Sequence, residues 1–147
     1  TYPVNGHFTE RQKQIYDIVL QANEAVRKAA RPGLTTIDLN NVCKEVLASG
    51  LMEIGLIHSA DELGKYYMHG VSHHLGLDVH DVTIASNALL KPGAVISNEP
   101  GLYIEEEAIG IRIEDDLLIT EDGCEVLSKD IMRTTEEIEA FMQKYHS

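Results

Sequence analysis

The chain has 147 residues, 44% of them hydrophobic, enough to bury one core, and its composition is not that of a collagen, a disordered chain or a disulfide scaffold. A formal net charge of −12, from 24 acidic residues against 12 Lys and Arg, argues against nucleic acid or an anionic membrane as the main partner. With no bilayer-length apolar run, no basic-then-apolar leader and two distant cysteines (Cys43, Cys124) outside any CxxC spacing, the expectation is a cytoplasmic protein with reduced thiols.

Thr9 and Gln12 make a capping-box pair, and Ile15, Ile18, Val19, Ala22, Ala25, Val26 and Ala29 follow at helical spacing. Arg27, Lys28 and Arg31 suit the negative end of that helix, and Pro32-Gly33 stops it. A second helix is predicted after Thr35 or Thr36. It carries Leu39, Val42, Val46, Leu47 and Leu51 on one stripe and ends near Gly55. Ser59 and Glu62 fit the cap of one more short turn. From Tyr66 onward glycines interrupt any long helix and alternation replaces the 3.6-residue period. The run Glu105 to Glu107 reads as a solvated loop. Beyond it a meander is expected: Ile109 to Glu114, Asp116 to Thr120, a turn at Glu121-Asp122-Gly123, then Glu125 to Leu127. A last helix opens at Thr134, with Glu137 three residues on, and runs through Ile138, Phe141 and Met142. No linker or repeat divides the chain, so residues 1–147 read as one α+β unit or part of one.

Four of the seven histidines lie between His69 and His80, in HGVSHHLGLDVHD. Imidazole is both a metal ligand and a proton carrier. Gly70, Gly76, Val71 and Val79 favour a strand there, which would put His69 and His73 on one face and His74 on the other; His74 is read as structural. Glu99 precedes Pro100-Gly101 at the end of an apolar run, where a rigid turn limits the freedom of its carboxylate. In GIRIEDD, Ile109, Ile111 and Ile113 alternate with Gly110, Arg112 and Glu114, giving an apolar back and a polar front. Gly110 would let another group approach that front closely. One imidazole and two carboxylates, His73, Glu99 and Glu114, suit Mn, Zn, Co or Fe, and ligand type alone does not choose among them.

The strings TYPVNGHFTERQ, HGVSHHLGLDVHD, NEPGLYI and GIRIEDDLLITEDGCEVLS, in this order, resemble the pita-bread metallopeptidases of the aminopeptidase P/prolidase type. The resemblance runs the length of the chain. It implies an α+β fold, with a curved, mostly antiparallel sheet and flanking helices, and hydrolysis of Xaa-Pro peptide bonds. It implies two divalent ions, manganese first with Zn, Co or Fe as alternatives, of which His73, Glu99 and Glu114 supply three of five ligands. Glu114 matches the ligand that bridges the ions, and Glu99 also handles the proton of the attacking water. His69 and His80 match pocket histidines that help stabilise the reacting carbonyl, and Arg112 matches the arginine beside the bridging glutamate. Peptides with proline at the second position are the implied substrates. A tertiary amide with a locked φ is poorly handled by sites that dock an extended backbone, so a dedicated pocket is expected.

Two aspartates that complete the family's site do not occur in matching positions, and Thr83 stands where many relatives carry glycine, on the pocket rim. The expectation is therefore a C-terminal portion of the catalytic domain, inactive or nearly so alone, holding at most one ion weakly. Such a chain would pair with a second copy or with the missing N-terminal segment. Prolidase, a non-catalytic pita-bread binding module and a metal-free hydrolase of the creatinase kind are the rival readings. The retained His73, Glu99 and Glu114 count against the last two, and the DVHD string counts against methionine aminopeptidase.

Overall fold

Both long helices begin at their capping pairs. In the computed structural model, which describes residues 1–82 and 87–145, α1 (Glu10–Ala29) is capped by Thr9 and Gln12 bonding each other's backbone N–H. Thr35 and Asp38 do the same for α2 (Thr36–Glu53). Ile15, Ile18, Val19, Ala22 and Val26 of α1 are buried, as are Leu39, Cys43, Leu47 and Leu51 of α2. Val42 and Val46, expected on the same stripe, lie at its margin and are only partly buried. The helices pack through Gly50, where a Cβ would stand 2.7 Å from Ile18 Cγ2. A 3₁₀ turn, Ala60–Lys65, follows where Ser59 and Glu62 predict one.

The strands are β1 (Val95–Asn98), β2 (Gly101–Ile104), β3 (Ile109–Arg112), β4 (Asp115–Ile119) and β5 (Cys124–Val126). The expected hairpin between β4 and β5 is present, closed by a Thr120 N–H to Gly123 carbonyl bond of 3.0 Å. The rest of the meander is not. β3 pairs with β2, and β4 pairs with β1, all antiparallel. The register is the same in both pairs: Asn98 faces Asp115 and Gly101 faces Arg112, so Glu99 falls opposite Glu114 and Pro100 opposite Ile113. β1–β2 and β3–β4 are thus two arms of one long hairpin, broken for two residues. It reverses through a 3₁₀ turn at Glu105–Glu107, ended by Ala108 at φ 52°. These three glutamates are exposed, as expected, with Glu106 paired to Lys65 and Glu107 to Arg11.

One face of the ribbon is apolar. Ile96, Leu102, Ile104, Ile111, Ile113, Leu117 and Ile119 are all buried and join the same core as the helices. α3 (Thr135–Tyr145) adds Ile138 to it, with Thr134 and Glu137 forming the predicted cap. Cys43 and Cys124 are free. Among the described residues, no helix is long and apolar enough to cross a membrane.

Candidate metal centre

The break in the ribbon is where the two carboxylates meet. The Ile113 N–H to Pro100 carbonyl bond (3.2 Å) and the Ile119 N–H to Ala94 carbonyl bond (2.8 Å) mark hydrogen-bonded pairs of the ladder. Strict alternation then makes Glu99 and Glu114 a non-bonded pair, the class whose side chains stand closest. Pro100 has no N–H to return, so the ladder is half-missing beside them. Period two places both carboxylates on the face away from the core. Like charges this close disfavour ionisation: partial burial, then the Glu99 carboxylate, pushes the Glu114 carboxyl above its usual range, with Arg112 opposing.

The third group comes from the histidine segment, which is not the expected strand. It forms a single bridge, His74 to Ile96, and otherwise runs irregularly along β1. Glu99 N–H bonds Val71 carbonyl (2.8 Å), Ser97 N–H bonds His73 carbonyl (2.9 Å) and Leu75 N–H bonds Val95 carbonyl (3.1 Å). A regular ladder fails because the His73 N–H donates to the Ser97 hydroxyl (2.9 Å) instead of a backbone carbonyl. The same hydroxyl donates to Glu99 Oε1 at 3.1 Å, so Ser97 ties the histidine backbone to the carboxylate. With no regular strand here, His69 and His73 are not strand-face neighbours, although both rings reach the polar face of the ribbon. His73 meets Glu99, whereas His69 lies against Tyr103, its Nε2 2.8 Å from the Tyr103 hydroxyl and its Nδ1 2.9 Å from the Gly70 carbonyl. His80 reaches the site through its ring, 4.7 Å from that of His73 and edge-on. His74 contributes backbone, its carbonyl accepting from the Asp81 N–H (3.2 Å), in keeping with a structural role.

The ligand atoms of His73, Glu99 and Glu114 all lie within 4.8 Å of one another. His73 Nδ1 is 3.0 Å from the His74 carbonyl, which fixes the proton on that nitrogen. Its Nε2 then turns a lone pair toward Glu99 Oε1, 3.1 Å away. Two acceptor atoms at that distance need a proton or a cation between them. With Glu114 adding a further oxygen, the set fits a divalent metal of the nitrogen- and oxygen-binding kind. Arg112 Nη1 stands 3.9 Å from Glu99 Oε2 on a largely exposed side chain, a loose flanking charge.

Three residues the sequence reading passed over help to build the site. Ser97 is the link just described. Asn40, on α2, accepts from the Tyr67 hydroxyl (2.8 Å) and the Val71 N–H (3.1 Å) and so anchors the histidine segment. Tyr103 is two residues beyond Gly101, hence on the same face as Glu99; that alternation was the available signal. Gly101 is the glycine that close approach demands, since a Cβ there would stand 2.8 Å from the Tyr103 hydroxyl and 3.1 Å from the Ile111 carbonyl. At Gly110 a Cβ would sit an ordinary 3.6 Å from the Tyr103 ring, so the expected role of Gly110 passes to Gly101. A cleft of about 600 Å³ opens beside Glu114, lined among others by Tyr16, Tyr103, Arg112 and Met132. Thr83 lies outside the described residues.

Residues 1–121 match the model of metallopeptidase family M24. An Xaa-Pro aminopeptidase of Escherichia coli K12 is 43% identical over 97% of the chain, and Xaa-Pro aminopeptidase 2 of Streptomyces coelicolor is 39% identical over 99%. A Bacillus anthracis structure assigned to aminopeptidase P superposes with a TM-score of 0.94 at 58% identity, over 97% of the chain. A zinc-substituted E. coli aminopeptidase P in complex with product gives 0.91 at 41%, over 99%. The chain spans only 36% and 35% of the two curated relatives, and 34% and 37% of the two structures. Over the shared part, the expected α+β pita-bread architecture is the one observed.

Proposed function

The chain belongs to metallopeptidase family M24, and on that premise we propose that it supplies part of a dinuclear centre hydrolysing Xaa-Pro bonds in the manner of an Xaa-Pro aminopeptidase. His73, Glu99 and Glu114 would hold metal, manganese first, as three ligands of a set that the chain does not complete by itself. The observation that carries the reading is the convergence of one imidazole and two opposed carboxylates on the polar side of the ribbon. When bound, the ions would supply Lewis acidity and an activated water.

The chain's own residues then have separate tasks. Glu99, held at Oε1 by the Ser97 hydroxyl, takes the proton of the attacking water and passes it toward the leaving nitrogen. His69, oriented by Tyr103 and the Gly70 carbonyl, and His80, stacked edge-on against His73, border the scissile carbonyl and stabilise its developing negative charge. Arg112 keeps a positive charge beside Glu99. The substrates are peptides with proline at the second position, lying in the cleft beside Glu114. The setting is cytoplasmic, and the partner is a second copy of the chain or a further catalytic segment.

The test is Co²⁺ titration of the 147-residue chain, with Glu114→Ala as control. One weakly held ion, lost in the variant, and a peptidase rate near background on an Xaa-Pro peptide are expected. Identical titrations of the two proteins refute the site. Two tightly held ions, or a rate like that of an intact relative abolished by the substitution, refute the assignment of the missing ligands.

A further inference from the structure

Behind the two glutamates, on the core side of the ribbon, lies a polar cluster that the proposed chemistry leaves unused. Asn23 of α1 and Asn98 of β1, both fully buried, exchange amide-to-carbonyl bonds of 3.2 and 2.9 Å. The Arg133 guanidinium donates to Asn23 Oδ1 and, at 2.7 Å, to Asp115 Oδ2 of β4. Asp115, only 4% exposed, also accepts from the Ser128 hydroxyl at 2.6 Å. Arg133 is itself held: the Tyr16 hydroxyl donates to its carbonyl (2.9 Å), and its N–H donates to Glu137 Oε2 (3.0 Å).

The location gives the cluster its meaning. Asn98 directly precedes Glu99, and Asp115 directly follows Glu114. These two residues are also cross-strand partners, the last pair before the break. Within the break the next bonded pair is Pro100 with Ile113, which keeps only one of its two ladder bonds. The carboxylates repel each other across a ladder that is weak on one side. The Asn98–Asp115 pair is therefore the stop that sets how far apart the strands stand: Asn98 bonds Asn23 of α1 directly, and Arg133 fastens Asp115 to the same Asn23. Both bonds leave one nitrogen, Nη2, of a half-buried guanidinium, so its two N–H groups and its charge join Asn23 to Asp115 at a single point.

We propose that Arg133, acting through Asn23, Asn98 and Asp115, is a positioning residue that fixes the spacing of Glu99 and Glu114 for metal. This rests on the metal reading above and adds to it a residue about 20 positions beyond the last candidate ligand. The test is Co²⁺ binding to the 147-residue chain, read by the cobalt d–d absorption band and the Kd, with the thermal midpoint measured alongside. Arg133→Met leaves Asp115 buried without its cation and is expected to lower the midpoint, so the informative variant is Arg133→Met with Asp115→Asn. That pair buries no lone charge and keeps an oxygen for Ser128. Its midpoint should return toward the parent value, while its Kd weakens about tenfold or more and its absorption band shifts. Arg133→Lys should fall between. A double variant that binds Co²⁺ with the parent Kd and band overturns the proposal, because the cluster then serves stability alone. A parent chain that titrates like Glu114→Ala overturns the metal reading and this inference with it.

Discussion

Replacing Asn40 by Ala removes one oxygen that serves two donors, leaving the Tyr67 hydroxyl only the weak sulfur acceptor of Cys43 and the Val71 N–H none. The Tyr67 hydroxyl and the Val71 N–H both bond Asn40 Oδ1, and both residues are buried, Tyr67 at 4% and Val71 at 1% exposure. A buried donor left without a partner costs about 1–3 kcal/mol. Two of them, partly relieved by that sulfur and by water entering the space of the lost amide, give an expected loss of about 2–4 kcal/mol. The same anchor joins α2 to the segment that presents His73, so local order should fall with stability. Urea unfolding followed by circular dichroism measures the first, and amide hydrogen exchange at Val71 to Leu75 measures the second. Tyr67→Phe supplies the internal control, since it deletes one of the two donors. In that background Asn40→Ala should cost about 1 kcal/mol less than in the parent. An Asn40→Ala loss below about 0.5 kcal/mol at unchanged m, the range of neutral surface changes, would refute the anchoring role.

Gly101→Ala should destabilise the chain by about 1–3 kcal/mol and displace the Tyr103 hydroxyl from His69, visible as a shift of the His69 ring protons, whereas Gly110→Ala should be nearly silent. Burial pushes the Cys43 thiol up to about 12, so at pH 8 a disulfide reagent should titrate Cys124 but not Cys43 until the protein is unfolded; two fast thiols in the native state would contradict the packing of α2. The Arg27 hydrogen bond holds the Glu24 carboxyl below its ordinary 4.5, so its contribution is present above pH 4.5 and is lost as pH falls through the lower folded value. Glu24→Gln should accordingly lower the thermal midpoint at pH 6 more than at pH 3, and an equal drop at both would show that the pair carries no linkage.

Helix starts, the β4–β5 hairpin, the two-faced character of Ile109 to Glu114 and the identity of the three candidate ligands are all legible in the sequence. Each is a local matter: a capping box spans four residues, a tight turn spans a few, and side-chain alternation needs no partner. Strand pairing is different. The sequence reading made β3 and β4 neighbours in a meander, but β3 and β4 lie end to end, each pairing with a strand upstream. Hydrophobic patterning sets which face of a strand is buried without naming the strand beside it. The histidine segment went the same way, since β-branched residues favour a strand only while a backbone carbonyl is there to receive each N–H, and at His73 the Ser97 hydroxyl takes that place. What only the tertiary structure decided is therefore the spacing: Glu99 opposite Glu114, His73 turned onto Glu99, Asn40 under Val71, and Arg133 reaching Asn23 across 110 positions. Residue chemistry is carried by the side chain itself, while distance between side chains exists only once the chain has closed on itself and buried the surface that holds it closed.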